Sequence, residues 1–327
     1  MDLIASIEIG SNSIRMLIAE KGESDNTLRP VLRKRAITRL GEDFNRGKIG
    51  TIKPKPMSRS IAVLKDFFDT ASRFGVSSPT VIATGVVRKA TNRDNLIALI
   101  AERLDHSVRI ISGEEEAELT CRGVLSSLNH NGGPLIIFDL GGGSTEFTWI
   151  NNKDRKSISI ELGAVILTEG YLIDDPPRDE EIYQLSNHID HTFKIGLDSL
   201  KQIRKKGFSI IGTGGTIVTL AKIIHGIAED DFNAKRINGL AVNREDIWTL
   251  FQKMKRVSKE KRLSLKGLET GREDIILAGA LVVAKIMDYF EKDEIIVSYS
   301  DLLEGILIHY MEGEKNGWSN NKGRADL

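Results

Sequence analysis

The sequence predicts an α/β chain built from two copies of one unit, facing each other across a cleft. Three observations lead there. Short apolar runs of strand length alternate with longer stretches whose apolar residues recur at helical spacing. The order of these elements, βββαβαβα, occurs twice. The segment Ile7-Glu8-Ile9-Gly10-Ser11-Asn12-Ser13 is echoed by Phe138-Asp139-Leu140-Gly141-Gly142-Gly143-Ser144. In both, an acid and an apolar residue close a strand before a glycine–serine turn.

In the first unit, residues 3–9 and 14–19 are apolar runs joined by the Gly10–Ser13 turn, which reads as a strand pair. A third strand is expected over 28–38, then a loop at Pro54 and Pro56. Met57, Ile61, Leu64, Phe68 and Ala71 recur with helical period. Val81-Ile82-Ala83 reads as a short buried strand. Leu96, Ile97, Leu99, Ile100 and Leu104 line a helix that Asn92 is placed to cap. A strand over 108–111 and a helix over 114–128 complete the unit. The second begins after Gly132-Gly133-Pro134, with strands expected at 135–138, 147–150 and 156–162. Pro176-Pro177 interrupts, and a helix is expected within 179–206. A strand at 208–211 leads into helices near Thr216, at 244–257 and at 273–290, with an insertion near 227–272. A strand at 294–297 and a helix at 301–311 close the pattern, and the tail from Gly313 is polar.

A length of 327 residues suits two domains at ~100–200 residues each. With 40% hydrophobic and 28% charged residues, the chain can bury two cores under a polar surface. Forty-six basic and 46 acidic residues give a formal net charge of zero. Global charge therefore draws in neither nucleic acid nor an anionic membrane, and any anion site must be local. The single cysteine, Cys121, excludes an internal disulfide and a cysteine-based metal cluster. No apolar run approaches the ~20 residues of a membrane span, and residues 1–4 lack a basic leader. These features suggest a soluble, cytoplasmic protein with no nucleic-acid or membrane partner.

Chemistry is expected at the glycine turns. Glycines let a backbone approach a ligand and aim successive N–H groups at an anion. Ser11, Ser13, Ser144 and Thr145 add hydroxyl donors to the two turns. One such turn reads best as a plain hairpin; two at equivalent places, each preceded by a carboxylate, favour phosphate binding. A third glycine loop, Gly212-Thr213-Gly214-Gly215-Thr216, ends a strand and opens a helix, a place where anions bind. Its spacing fits neither a dinucleotide fingerprint nor a Walker motif. Asp139 and Glu146 flank the second turn and could stand together across it, as hard oxygen ligands suited to Mg²⁺ beside phosphate. Glu8 ends an apolar strand, where an acid is expensive unless used. Arg88 follows a strand on the cleft side, in reach of a phosphate. Arg15 points out of the second strand. Glu114 and Glu115 suit the positive end of a helix. His188 and His191 have no third ligand nearby, and Cys121 reads as a core thiol. Arg33-Lys34-Arg35, Arg204-Lys205-Lys206 and 256–262 read as solvated basic faces, although an anionic substrate could also follow them.

In order along the chain, Glu8–Ser13, Ala83-Thr84 with Arg88, Ile111–Ala117, Asp139–Glu146 and Gly212–Thr216 resemble the motifs of the exopolyphosphatase and guanosine pentaphosphate phosphatase (Ppx/GppA) family. The resemblance runs from residue 1 to about 312. It implies the duplicated ribonuclease-H-like fold of the actin, sugar-kinase and heat-shock-ATPase superfamily. Domain I would be 1–127, domain II 128–305, and a terminal helix at about 306–327 would return to domain I. It also implies a magnesium-dependent hydrolase, with manganese as a possible substitute. The substrate would be inorganic polyphosphate or guanosine pentaphosphate, and the assembly a homodimer. Glu116 matches the base that activates water. Asp139, Glu146 and Glu8 match acids at the metal, and the glycine turns and Arg88 match phosphate contacts. Three positions depart from the family pattern: Glu8 stands for Asp, Tyr299 for an acid and Leu303 for Arg, with Asp301 able to replace the lost acid. A kinase of the same superfamily, or a weakly catalytic guanosine tetra- or pentaphosphate sensor, are the competing readings.

Overall fold

The computed structural model describes residues 2–22, 27–44, 50–128, 132–152, 154–200, 207–228 and 234–315. Its first unit runs β1 (Leu3–Ile9), β2 (Ser13–Lys21), β3 (Leu28–Ile37), α1 (Pro54–Arg73), β4 (Thr80–Ala83), α2 (Gly85–Lys89), α3 (Arg93–Leu104), β5 (Arg109–Ile110) and α4 (Gly113–Ser127). The second begins with β6 (Leu135–Leu140), β7 (Thr145–Asn151), β8 (Asp154–Ile160), α5 (Ala164–Tyr171), α6 (Asp179–Gly196), β9 (Ser209–Thr213) and α7 (Gly215–Ile224). It continues with α8 (Ala234–Ile237), β10 (Ala241–Asn243), α9 (Arg244–Met254), α10 (Lys259–Arg262), α11 (Ile276–Phe290), β11 (Glu294–Val297) and α12 (Leu302–Lys315).

Each unit centres on a mixed sheet. The strand orders are β3-β2-β1-β4-β5 and β10-β11-β9-β6-β7-β8. In both, an antiparallel three-strand meander joins parallel strands that follow helices. The central strands β1 and β6 are buried along most of their length, which their apolar runs require. Each sheet is backed by its own cluster, around Phe67 and Leu64 in the first unit and Phe147, Phe290 and Phe251 in the second.

Several expectations need correction. Pro54 and Pro56 belong to the first turn of α1, where a missing N–H costs nothing. Asn92 precedes α3 without capping it; its amide instead pairs with the N–H and C=O of Ile52, both at 2.9 Å. The short helices α2 and α5 and the three-residue edge strand β10 are additional, being too brief to leave a periodic signal. Arg204-Lys205-Lys206 and the tail 316–327 lie outside the described residues, and the helix expected within 179–206 is α6, which ends at Gly196.

The terminal helix α12 begins at Leu302 and lies against α4 and the first sheet rather than beside the second unit. Leu302, Leu303, Ile306 and Leu307 pack with Leu17, Ala19, Ile82, Ile111 and Leu119. The approach is close enough to need glycine on both helices. A Cβ on Gly123 would overlap the Asp301 carbonyl, and one on Gly305 the Leu119 carbonyl. Asp301 caps α12: its Oδ1 accepts from the Leu303 N–H at 3.0 Å, while Glu304 accepts from the Asp301 N–H at 3.0 Å.

Candidate functional site

The two glycine turns are the same structure. In each, the first glycine donates to a serine carbonyl, Gly10 to Ser13 at 3.1 Å and Gly141 to Ser144 at 3.0 Å. They meet face to face: a Cβ on Gly143 would come within 2.7 Å of Ser11 Oγ, so this contact demands glycine. Ser11 Oγ in turn accepts from the Val86 N–H at 3.0 Å. Among the described residues the N–H groups of Gly142 and Gly143 have no hydrogen-bond partner. Neither does the buried Nδ2 of Asn12. The residues that carry these donors line the cavity between the units.

The third loop completes the floor. Gly214 has φ +91° and lies so close to the Asp139 carboxylate that no side chain fits there. Gly214, Gly215 and Thr216 border the cavity at the start of α7. Gly212 and Thr213 do not, contrary to the sequence reading. They are β9 residues: Gly212 accommodates the Phe138 ring, and the Thr213 hydroxyl donates to the carbonyls of Ser298 and Ser300 at 3.1 and 3.2 Å. Thr145 is likewise structural, its hydroxyl donating to the Leu162 carbonyl.

The carboxylates gather above this floor. Glu116 sits in the first turn of α4, a helix capped by Ser112 Oγ on the Glu115 N–H at 3.1 Å. This turn points Glu116 into the cleft and leaves Glu115 on Arg109 at 2.6 Å. Asp139 and Glu146 are direct cross-strand partners, as their symmetric spacing about the turn anticipated. Glu146 accepts from Ser159 at 2.8 Å. The Asp139 carboxylate makes no hydrogen bond or ion pair among the described residues. Burial raises Asp139 to about 8; Arg15 opposes the shift, while Asp301, Glu8 and Glu116 add to it. Burial, then the charge of Asp139, raises Glu146 to about 7. Burial, then Glu146, lifts Glu116 well above the ordinary carboxylate range, with Arg88 pulling the other way.

Two assignments change. Arg88 does not present its guanidinium to the cavity: Nη1 binds Glu116 at 2.7 Å and the Ile111 carbonyl at 3.2 Å, and Nη2 lies 3.8 Å from Glu146. It holds the acids rather than a phosphate. Glu8 is committed to protein partners, with Oε2 on Arg15 Nε at 2.6 Å and Oε1 near Thr84 at 3.3 Å. The cause is strand register, which sets Glu8 opposite Arg15. Arg15, given little weight in the sequence, lines the cavity and also binds Asp301. Arg272 is a second missed arginine; Gly215 leaves the space that its guanidinium fills. Elsewhere, His188 stacks on Tyr171, and Cys121 is buried, its thiol pushed up to about 11.

Among the described residues no three of His, Cys, Asp and Glu come together as a metal cage. Magnesium does not need one, since it binds through one or two carboxylates, waters and substrate phosphates. The Asp139–Glu146 pair, buried, crowded and short of positive charge, fits that pattern.

The Ppx/GppA phosphatase family model matches residues 17–314. The chain belongs to this family. It is 31% identical over 322 residues to the bifunctional 3-dehydroquinate synthase/phosphatase of Fusobacterium nucleatum, covering 95% of this chain and 47% of that relative. The chain thus spans about half the length of that protein. It is 29% identical over 316 residues to exopolyphosphatase 2 of Mycobacterium tuberculosis, covering 93% of this chain and 97% of the relative. The crystal structure of the Aquifex aeolicus Ppx/GppA family member superposes with a TM-score of 0.77 at 29% identity, over 95% of this chain and 98% of that one. An exopolyphosphatase from Cytophaga hutchinsonii shares the fold, with a TM-score of 0.86 at 23% identity over 95% of this chain and 98% of that one. No helix among the described residues is long and apolar enough to cross a membrane.

Proposed function

We propose that this phosphatase releases terminal orthophosphate from inorganic polyphosphate by in-line attack of water. The observation that carries the reading is Glu116, a buried carboxylate aimed at the point where the two glycine turns meet. The N–H groups of Gly142 and Gly143 and the Asn12 amide bind the terminal phosphoryl oxygens. They favour the charge that gathers on those oxygens as the bond breaks. Glu116 accepts the proton of the attacking water, and Arg88 fixes the orientation of its carboxylate. The raised proton affinity of Glu116 brings it closer to the operating pH, which suits a general base. Magnesium or manganese, held by Asp139 and Glu146, would neutralise phosphate oxygens when bound. No covalent intermediate on the protein is required. Guanosine pentaphosphate is the second candidate substrate. A weakly catalytic sensor of such nucleotides draws support from Arg15, whose charge Glu8 and Asp301 already engage.

The test is phosphate release from polyphosphate and from guanosine pentaphosphate, side by side, with magnesium and with excess chelator. Polyphosphate should turn over faster, and only with metal. Faster release from guanosine pentaphosphate reverses the substrate assignment, and full turnover in chelator removes the metal. The homodimer implied by the family resemblance is a separate proposal, checked by light scattering.

A further inference from the structure

Asp301 stands at the N-terminus of α12, 286 positions from Arg15, which it binds. Its two oxygens do different things. Oδ1 caps the helix on the Leu303 N–H, while Oδ2 takes Arg15 Nη1 and lies 3.7 Å from Arg33 Nη1. Each of these arginines already has an acid of its own. Arg15 Nε binds Glu8 Oε2 at 2.6 Å, and Arg33 Nη2 binds Glu304 Oε1. Arg33 therefore leaves the solvated basic face expected of Arg33-Lys34-Arg35, while Lys34 reaches Asp66 at 2.7 Å.

Capping does not require this acid, since Asn and Ser cap a helix about as well as Asp. Charge balance does not require it either, since Glu8 and Glu304 answer Arg15 and Arg33 without it. Asp301 is only 3% exposed, and a third buried carboxylate is costly to keep unless it is used. Its use is found at Arg15, which lines the catalytic cavity together with the two glycine turns. A guanidinium recognises a phosphate through two N–H groups presented side by side. Glu8 takes Nε and Nη2 of Arg15, and Asp301 takes Nη1. Neither two-donor edge is left open to a ligand. An arginine free to clasp phosphate would hold released orthophosphate as firmly as the terminal group of the substrate. Such uniform binding gives no acceleration and delays product release.

We propose that Asp301 is a positioning residue that withholds Arg15 from the bound phosphate and so keeps orthophosphate weakly held. This rests on the reading of the cavity as a phosphate site, and adds to it how the product is let go.

The experiment is calorimetric titration of orthophosphate in chelator. The proteins are the wild type, Asp301→Asn, Asp301→Ser, and Asp301→Asn combined with Arg15→Lys. Asn and Ser keep a capping oxygen for Leu303 and remove the carboxylate that meets Arg15. Each arginine keeps its own glutamate, so both single variants should fold. The freed Nη1 should turn to the ligand, and each should bind orthophosphate about tenfold more tightly, the scale of one charge-assisted hydrogen bond. A loosened helix cannot produce a gain in affinity. Lysine at position 15 keeps the charge that Glu8 needs but has no fork to share with a ligand. The double variant should therefore return to within about threefold of the wild type. Unchanged or weaker binding in both single variants overturns the proposal. So does a gain that survives Arg15→Lys, because the effect is then bare charge and not the clasp. If none of the proteins binds orthophosphate, the phosphate reading of the cavity falls and the proposal with it. If the wild type binds it and the single variants gain nothing, the proposal falls alone.

Discussion

In the first unit β1 and β2 set Glu8 opposite Arg15; in the second β6 and β7 set Asp139 opposite Glu146. The backbone is the same and the spacing about the turn is seven residues in both cases; Glu8, Arg15 and Asp139 line the cavity, while Glu146, the strand partner of Asp139, lies outside its lining. The charges differ. The first hairpin carries an ion pair, and the second carries two carboxylates whose proton affinities are raised by burial and by acidic neighbours more than Arg15 and Arg88 lower them. A duplicated unit has thus divided its labour. The first copy offers a balanced wall with the Asn12 amide, and the second offers the Gly142 and Gly143 N–H groups beside two buried acids.

The largest expected effect comes from the acid that α4 adds to the negative side. Glu116→Gln should lower kcat ~10²–10⁴-fold, because glutamine keeps the size but cannot accept a proton. Folding should be unharmed, since a crowded buried charge is removed. Glu115→Gln, whose parent side chain lies on Arg109, should keep near wild-type turnover. If the outcomes are exchanged, the base has been misplaced by one residue; if both variants stay active, it lies elsewhere, with Glu8 next in line.

Arg15→Gln breaks the balance of the first hairpin. It strands Glu8 and Asp301 as buried acids, at a cost of about 3–5 kcal/mol read by urea unfolding. A loss below about 1 kcal/mol, the scale of an exposed pair, would show that this pair is ordinary surface electrostatics.

The second hairpin should reveal itself through pH. Asp139 and Glu146 have folded-state proton affinities raised to about 8 and about 7. Between their unfolded values and those values the folded metal-free protein holds more protons than the unfolded chain. Stability should therefore fall as pH rises from about 4 to about 8, and level off above. Asp139→Asn should flatten the slope in chelator, and so should magnesium in the wild type. A slope that both leave unchanged places its origin in other groups.

The smallest effect probes the neutral donors. Asn12→Ala should weaken orthophosphate binding about three- to tenfold with little change in stability, because the buried amide nitrogen has no partner to lose. Unchanged affinity would remove Asn12 from the site.

Much of this arrangement was legible because it is local. The repeat, the turns and the Asp139–Glu146 contact follow from strand alternation and from residues a few positions apart. The Glu8–Arg15 pair has the same spacing and could have been read the same way; it was passed over because an arginine on a strand looks like surface. The Arg15–Asp301 pair had no such signal, since the two residues are 286 positions apart and only the return of α12 joins them. The motif Gly212–Thr216 was over-read for the opposite reason. Its first two residues are strand, and only the last three reach the cavity.

The return of α12 to the first unit makes the division of the chain circular rather than linear. A cut at residue 127 yields a first half lacking the helix that covers Leu17, Ile82, Ile111 and Leu119, and exposes an apolar strip that then invites aggregation. The helix that would be uncovered is the one bearing Glu116. A working half must carry residues 302–315 as well, grafted on or supplied as a separate peptide. The Gly123–Gly305 crossing then becomes the docking register through which the tail of the chain restores its beginning.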